Sequence, residues 1–437
     1  MQISEWKERI RSATDSVWAV RLLHAFEYVI AAVLLVQGNT VWMTIDPVRD
    51  HIGTVLLILL ITAVLACMIL SGAIFSGEKR KACIFGISAI FLYAMVLFFA
   101  HESNRSVFWH FILVFLLMAA YSLMRRSEGT TAVLLKYRNL ICLVAIYSLV
   151  MWLLCSVLKI FPPSGVVMTS WNDTSFLDAP ISSYIGIYFT PQGIRNTSIF
   201  TEAPMAALHY SLALLIEVFL VKKADLKKMG ILLLVILTTM STMGYLVAGF
   251  AVLMKLILWI GEKGWLRKKS VIATGAAILT VGVGAALFLL IRKIGTISGS
   301  IRSDDLRAGW QAFLDHPLLG NGFNNLPAIQ QYMSSWRHFN MGYSSGLLWI
   351  LSDGGLWLGA IHLCPVIRAT VVGILRKQWG IVLFALSVMA IFLITVFQYS
   401  YLLSFLLAFL LFWQPEVDHH RGEIPQAQGK PTGLKAS

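Results

Sequence analysis

Two polar stretches hold most of the residues whose types could do chemistry. The first reads Gln192-Gly193-Ile194-Arg195-Asn196-Thr197-Ser198-Ile199-Phe200-Thr201-Glu202-Ala203-Pro204. The second runs from Arg302-Ser303-Asp304-Asp305-Leu306-Arg307 through Trp310 and His316-Pro317-Leu318-Leu319-Gly320-Asn321-Gly322 to Ser344. Arg195, Arg302 and Arg307 offer planar guanidinium forks, which match carboxylate and phosphate oxygens in pairs. The competing readings are solvated loop arginines or anchors to lipid headgroups. Glu202 also has competing readings, structural pairing with Arg195, or a role as base or as a ligand of the acceptor. No D-x-D pair or His cluster occurs in these stretches, and Asp304-Asp305 is at most a weak ligand pair, so no metal and no cofactor is expected. The five cysteines, Cys67, Cys83, Cys142, Cys155 and Cys364, lie in or at the start of apolar runs without a C-x-x-C pair. Buried free thiols are expected, and neither disulfides nor a zinc site. Gly320-Asn321-Gly322 follows no strand and reads as a turn, not a nucleotide loop.

The elements that must position these residues are set by hydropathy. Of 437 residues, 58% are apolar and only 13% charged, with a mean hydropathy of +0.75. That excludes a water-soluble globular fold and a disordered chain. A membrane helix needs about 20 apolar residues to cross about 30 Å of hydrocarbon. On that measure the chain offers about twelve spans, near 22–44, 52–73, 83–100, 106–124, 139–160, 201–221, 229–241, 243–261, 270–291, 345–372, 379–398 and 400–414. The fold class is therefore an all-α polytopic membrane protein, read as one membrane-embedded domain with a tail at 415–437. The seventh and eighth spans part only at Ser241-Thr242-Met243-Gly244, and Gly354-Gly355 marks a kink in the tenth. The first 21 residues lack the apolar core of a cleavable signal peptide.

The net charge of +13 would raise nucleic-acid binding if the positive residues formed a patch. They instead alternate by side. With both termini cytoplasmic, the inside segments hold roughly 24 of the 35 Lys and Arg, and every inside loop is basic. The excess is then an orientation signal, and no nucleic-acid partner is expected. Two external loops are long, about 161–200 and 293–344, and are where function should concentrate. In the second, Ser303-Asp304-Asp305 reads as a helix start. Leu306, Trp310, Phe313 and Leu314 follow as an apolar stripe that would lie on the membrane or cover a cavity. Among intramembrane ionisable groups, Glu27 and Glu217 are read as pairing near the cytoplasmic ends, and His209 and Asp353 as possible cavity lining.

The same residues resemble the Wzy-type O-antigen and capsule polymerases and the related O-antigen ligases. Arg195 followed by Ile199-Phe200-Thr201-Glu202-Ala203-Pro204 is similar to the family's arginine and Phe-x-Glu-Pro, with one extra residue before the proline. Arg302, upstream of Pro317-Leu318-Leu319-Gly320-Asn321-Gly322, resembles the arginine preceding the family's Pro-Leu-x-Gly-x-Gly motif. Ser344-Ser345, ahead of Asp353-Gly354-Gly355-Leu356, stands where the ligases tend to have His-Asn. The diagnostic part covers about 190–360.

The resemblance implies a glycosyltransferase that moves a glycan from an undecaprenyl diphosphate carrier to a hydroxyl. Arg195 and Arg302 would hold the diphosphate leaving group, which guanidinium forks suit. Arg307, Trp310, Tyr343 and Ser344 would assist substrate binding. Ser344 cannot act as a base unaided, so Glu202 or His338 is the candidate base, with Tyr343 a further possibility. The missing histidine favours a polymerase over a ligase. The implied setting is the outer face of a bacterial plasma (inner) membrane, with membrane lipid and a chain-length regulator protein as partners. A lipid-linked glycan flippase or transporter is the more distant alternative, disfavoured because no internal repeat is visible.

Overall fold

The computed structural model describes residues 17–45, 48–167, 181–263, 284 and 295–415. Within them, eight helices are long and apolar enough to cross a membrane, and Trp379–Ile394 and Tyr401–Phe412 are shorter apolar helices. The chain is an all-α polytopic membrane protein. In order, α1 is Val17–Gln37, α2 Val48–Leu70, α3 Gly77–Ala100 and α4 Arg105–Met151, which runs on into a π-helical turn. A short antiparallel hairpin follows, β1 Gly165–Val167 with β2 Ile181–Ser183. Then come α5 Ala203–Leu215, also continued by a π-helical turn, α6 Leu226–Thr239 and α7 Thr242–Glu262. The last group is α8 Ile297–Asp315, α9 Leu326–Gln330, α10 Gly346–Leu375, α11 Trp379–Ile394 and α12 Tyr401–Phe412.

Apolar content all round a helix suits either a buried helix or a lipid-facing one, and both kinds are present. α5 and α12 are the inner helices: Met205 through Leu215 and Tyr401 through Leu410 are buried throughout. α3 lies at the periphery, with Phe85 78%, Phe99 75% and Leu92 67% exposed, as expected for side chains meeting lipid tails.

Most expected spans have a helix at the matching place, and the one at 270–291 lies outside the described residues apart from Gly284. The chain breaks between α6 and α7 at Met240, with φ 51°. α10 is kinked at Gly354-Gly355. Two details differ from the sequence reading. The basic loop expected at 125–138 shrinks to a break at Arg126, φ 56°, with helix on either side. Its polar turns stay helical because Lys136 and Arg125 pair with buried Glu27 at 2.6 and 2.9 Å, and Arg138 pairs with Glu217 at 2.5 Å. The hairpin in the 161–200 loop was not anticipated.

Loop contacts agree with the alternation of sides. The turn after α1 pairs with the approach to α5, Val41 N–H donating to Ile199 O at 2.9 Å. The turn after α3 meets the 293–344 loop through His101 Nε2 and Leu319 O at 2.6 Å, and Asn104 Nδ2 donates to Phe323 O at 2.8 Å. All these segments belong to the face assigned to the outside.

Candidate active site

Arg195 and Glu202 sit on a loop that is fastened at every side. Asn196 is its central peg. Its backbone N–H donates to Thr238 O at 3.0 Å, its Nδ2 to Thr238 Oγ1 at 3.0 Å, and its Oδ1 accepts from Ser148 Oγ at 2.6 Å. Trp152 Nε1 donates to Ile194 O at 2.7 Å, and Thr201 N–H to Asn39 O at 3.2 Å. Glu202 then occupies the N-cap position of α5, with Pro204 in the first turn, where a missing N–H costs nothing. Its carboxylate makes no capping bond to its own helix.

Two guanidinium charges act on that carboxylate, those of Arg302 and Arg195. Each is anchored by the same device on a different element. Arg195 Nε donates to Thr239 O at 3.2 Å, the last residue of α6. Arg302 Nη1 donates to Ile394 O at 2.7 Å, the last residue of α11. Helix C-terminal carbonyls lack intrahelical partners and carry the negative end of the macrodipole, so each arginine is anchored by one bond. Among the described residues those are the hydrogen bonds the two side chains make. Burial pushes the Glu202 carboxyl above its ordinary range, although both arginines oppose the rise. Burial lowers Arg195, opposed by Glu202 and by Tyr245 of α7, a neighbour that the sequence did not single out.

One turn along α8 the pattern reverses. Arg337 is fully buried and spends its fork on five acceptors: Asp305 Oδ1 at 2.8 Å, Asp304 Oδ2 and Ile301 O at 3.3 Å, Asn340 O at 2.8 Å and Gly342 O at 2.7 Å. Asp305 also accepts from Ser344 Oγ at 2.5 Å. Burial raises the Asp305 carboxyl against the pull of Ser344 and Arg337. Burial raises Asp304 too, but hydrogen bonds from Ser334 and Arg307 outweigh it and hold that carboxyl low. Arg307 Nη2 donates to Asp304 Oδ1 and Tyr332 O, both at 2.6 Å. Asp304-Asp305 is thus a mid-helix ion-pair anchor; α8 starts at Ile297, capped by Thr296, and not at Ser303.

The other sequence candidates are dispersed. Tyr343 is buried; a Cβ on Gly309 would lie 1.8 Å from its Oη. His338 is exposed on a 3-10 turn, its Nδ1 3.4 Å from Ser335 O. Trp310 is 50% exposed beside Leu306 and Leu314, forming an apolar outer edge of α8, whereas Phe313 turns inward. His209 is packed between Gly38 O and Tyr137. Asp353 accepts from Asn324 N at 2.8 Å and Tyr399 Oη at 2.5 Å, which makes it a scaffold acceptor.

The Pro317–Gly322 motif is backbone carpentry. Asn321 N–H donates to Ser352 O and Gly322 N–H to Asp353 O, at 2.8 and 2.9 Å. Leu356 N–H returns to Pro317 O at 2.8 Å, so the motif docks onto the α10 kink. Gly320 and Gly355 have φ of +77° and +57°, and a Cβ on either would lie 2.4 Å from the facing backbone. Only glycine suits such positions. Four cysteines are buried as expected, while Cys364 is exposed on α10.

Fold and site together define a multi-pass membrane protein with a carboxylate under the charge of two arginines among its loops. Residues 229–363 match the family model described as O-Antigen ligase. The match agrees with the O-antigen ligase and polymerase superfamily and points to glycosyl transfer. It spans Arg302, Pro317–Gly322, Ser344 and Gly354-Gly355, whereas Arg195 and Glu202 precede it. No curated protein matches the chain.

Proposed function

We propose that the protein is a polysaccharide polymerase at the outer face of a bacterial plasma membrane. It moves a glycan from one undecaprenyl diphosphate carrier to a hydroxyl of another lipid-linked repeat unit. The observation that carries this reading is the pair of guanidinium groups, each anchored by one helix-end carbonyl, whose charges act on the Glu202 carboxylate. The bond between the anomeric carbon and the diphosphate oxygen breaks, and the diphosphate departs with both electrons. The acceptor oxygen bonds to that carbon and gives its proton to Glu202. Arg195 and Arg302 offset the charge growing on the leaving group, so the transfer is proposed to need no metal. Arg307, Trp310, Tyr343 and Ser344 are proposed to assist glycan binding, and His338 is the alternative base to Glu202.

A polymerase is favoured over a ligase because Ser344, committed to Asp305, stands where ligases tend to have histidine. A chain-length regulator protein is the proposed partner. The test is purified protein incubated with defined lipid-linked repeats and resolved on a gel. A ladder is expected; unchanged substrate would contradict the proposal. A knockout separates the ligase reading: loss of a polymerase leaves single repeats on the acceptor core, and loss of a ligase leaves none.

A further inference from the structure

The turn after α3, the segment between α8 and α9, and α9 itself border an open cavity of about 580 Å³, lined by His101, His316, Asn321, Asn325, Ala328 and Gln331 among others. Its wall contains no Lys, Arg, Asp or Glu. Asn321 is held through both ends of its amide, and the other four polar side chains are each fixed through one end. His101 Nε2 meets Leu319 O at 2.6 Å, and His316 Nδ1 meets Asn321 Oδ1 at 2.7 Å. Asn325 Nδ2 donates to Asn321 O at 2.8 Å, and Gln331 Nε2 to Ala328 O at 3.0 Å. The opposite ends are imidazole nitrogens and amide oxygens. A neutral set of this kind suits hydroxyl groups, which both donate and accept, and offers nothing to an anion. The wall is also held firmly, because Asn321 belongs to the turn docked on the α10 kink. A cavity of this size lies within the range of small-ligand sites.

We propose that this cavity is a second glycan subsite, gripping neutral sugars some distance from the transfer centre. The proposal rests on the function proposed above and adds where the oligosaccharide runs. Arg302 within α8 and His316 just past its end are separated by roughly 20 Å at about 1.5 Å per residue. A chain whose reducing end sits at Arg302 would follow the helix and reach the cavity several rings later. Holding the sugars there would keep a product bound between transfers.

Two variants test this, Ala328→Trp, which fills the cavity, and Gln331→Ala, which removes one amide at an exposed position. Each is compared with wild type for ladder length on lipid-linked repeats. Each is also titrated with the cell's own repeat-unit oligosaccharide, released from its lipid by mild acid. Expected are shorter ladders with the first transfer retained, and oligosaccharide affinity about tenfold weaker. Wild-type ladders and affinity in both variants would overturn the subsite. A wild type that binds the oligosaccharide but never elongates lipid-linked repeats would support the subsite and sink the polymerase. No oligosaccharide binding by wild type would overturn the subsite, whatever the ladders show.

Discussion

Two arginine–carboxylate clusters meet α8 one helical turn apart, at Arg302 and at Asp304-Asp305, and they are built oppositely. Around Arg337, nearly every donor and acceptor is spent: five acceptors on one buried guanidinium, and two carboxylates further held by Ser334, Ser344 and Arg307. Around Glu202, two guanidinium groups are each anchored by a single helix-end carbonyl. Saturation makes a scaffold, because a buried charge with a full set of partners has nothing left to offer a ligand. An under-committed pair of arginines is what an anionic substrate can complete. Residue type alone does not separate the two clusters; coordination does.

Substitutions should expose that difference. The largest effect is expected from Arg337→Met, which strands Asp304 and Asp305 in the interior. Removing one partner of a buried pair costs about 3–5 kcal/mol, so folded yield and thermal stability in detergent should fall sharply. Arg302→Ala should do the reverse, leaving stability near wild type while transfer drops by about 10²–10³-fold, the usual loss for one preorganised charge-stabilising donor.

Glu202→Gln sharpens the comparison through pH. Burial holds the Glu202 carboxyl above its ordinary 4.5. A raised carboxyl binds its proton more tightly folded than unfolded. Its stabilising contribution is therefore full below about 4.5 and is lost as pH rises through the folded value. Glutamine removes that loss, so melting temperatures above the folded value should equal or exceed wild type. Transfer should nevertheless fall by about 10²-fold or more if the carboxylate takes the proton. The smallest effect is expected from Arg307→Gln, a half-exposed pair worth about 0–1 kcal/mol, visible as a slight drop in melting temperature.

Much of this architecture was legible in the sequence, because span length, breaks at Ser241–Gly244 and a kink at Gly354-Gly355 are local properties. Arg195, Glu202 and Arg302 were legible too, as the few charged residues in conspicuous motifs on a near-neutral face. The Arg337 hub was not, because its partners at Asp304 and Asp305 lie about thirty residues away and no period links them. The same non-local pairing misled the reading of Ser303-Asp304-Asp305 as a helix start. Acidic residues there imitate an N-terminal turn, yet tertiary neutralisation by Arg337 lets the helix begin at Ile297. The helical inner segment after Arg126 escaped notice for the same reason, its charges being matched by Glu27 and Glu217 from distant helices.

The central claim is that the singly anchored arginines, and not the saturated cluster, hold the carrier diphosphate. Its most direct test is the affinity of undecaprenyl diphosphate in detergent, measured by isothermal titration for wild type, Arg195→Ala, Arg302→Ala and Arg307→Gln. Binding should weaken by about tenfold or more in each of the first two, on the scale of about 1.4 kcal/mol per tenfold, and stay within error of wild type in the third. Wild-type affinity in Arg195→Ala and Arg302→Ala, with loss confined to Arg307→Gln, would contradict it.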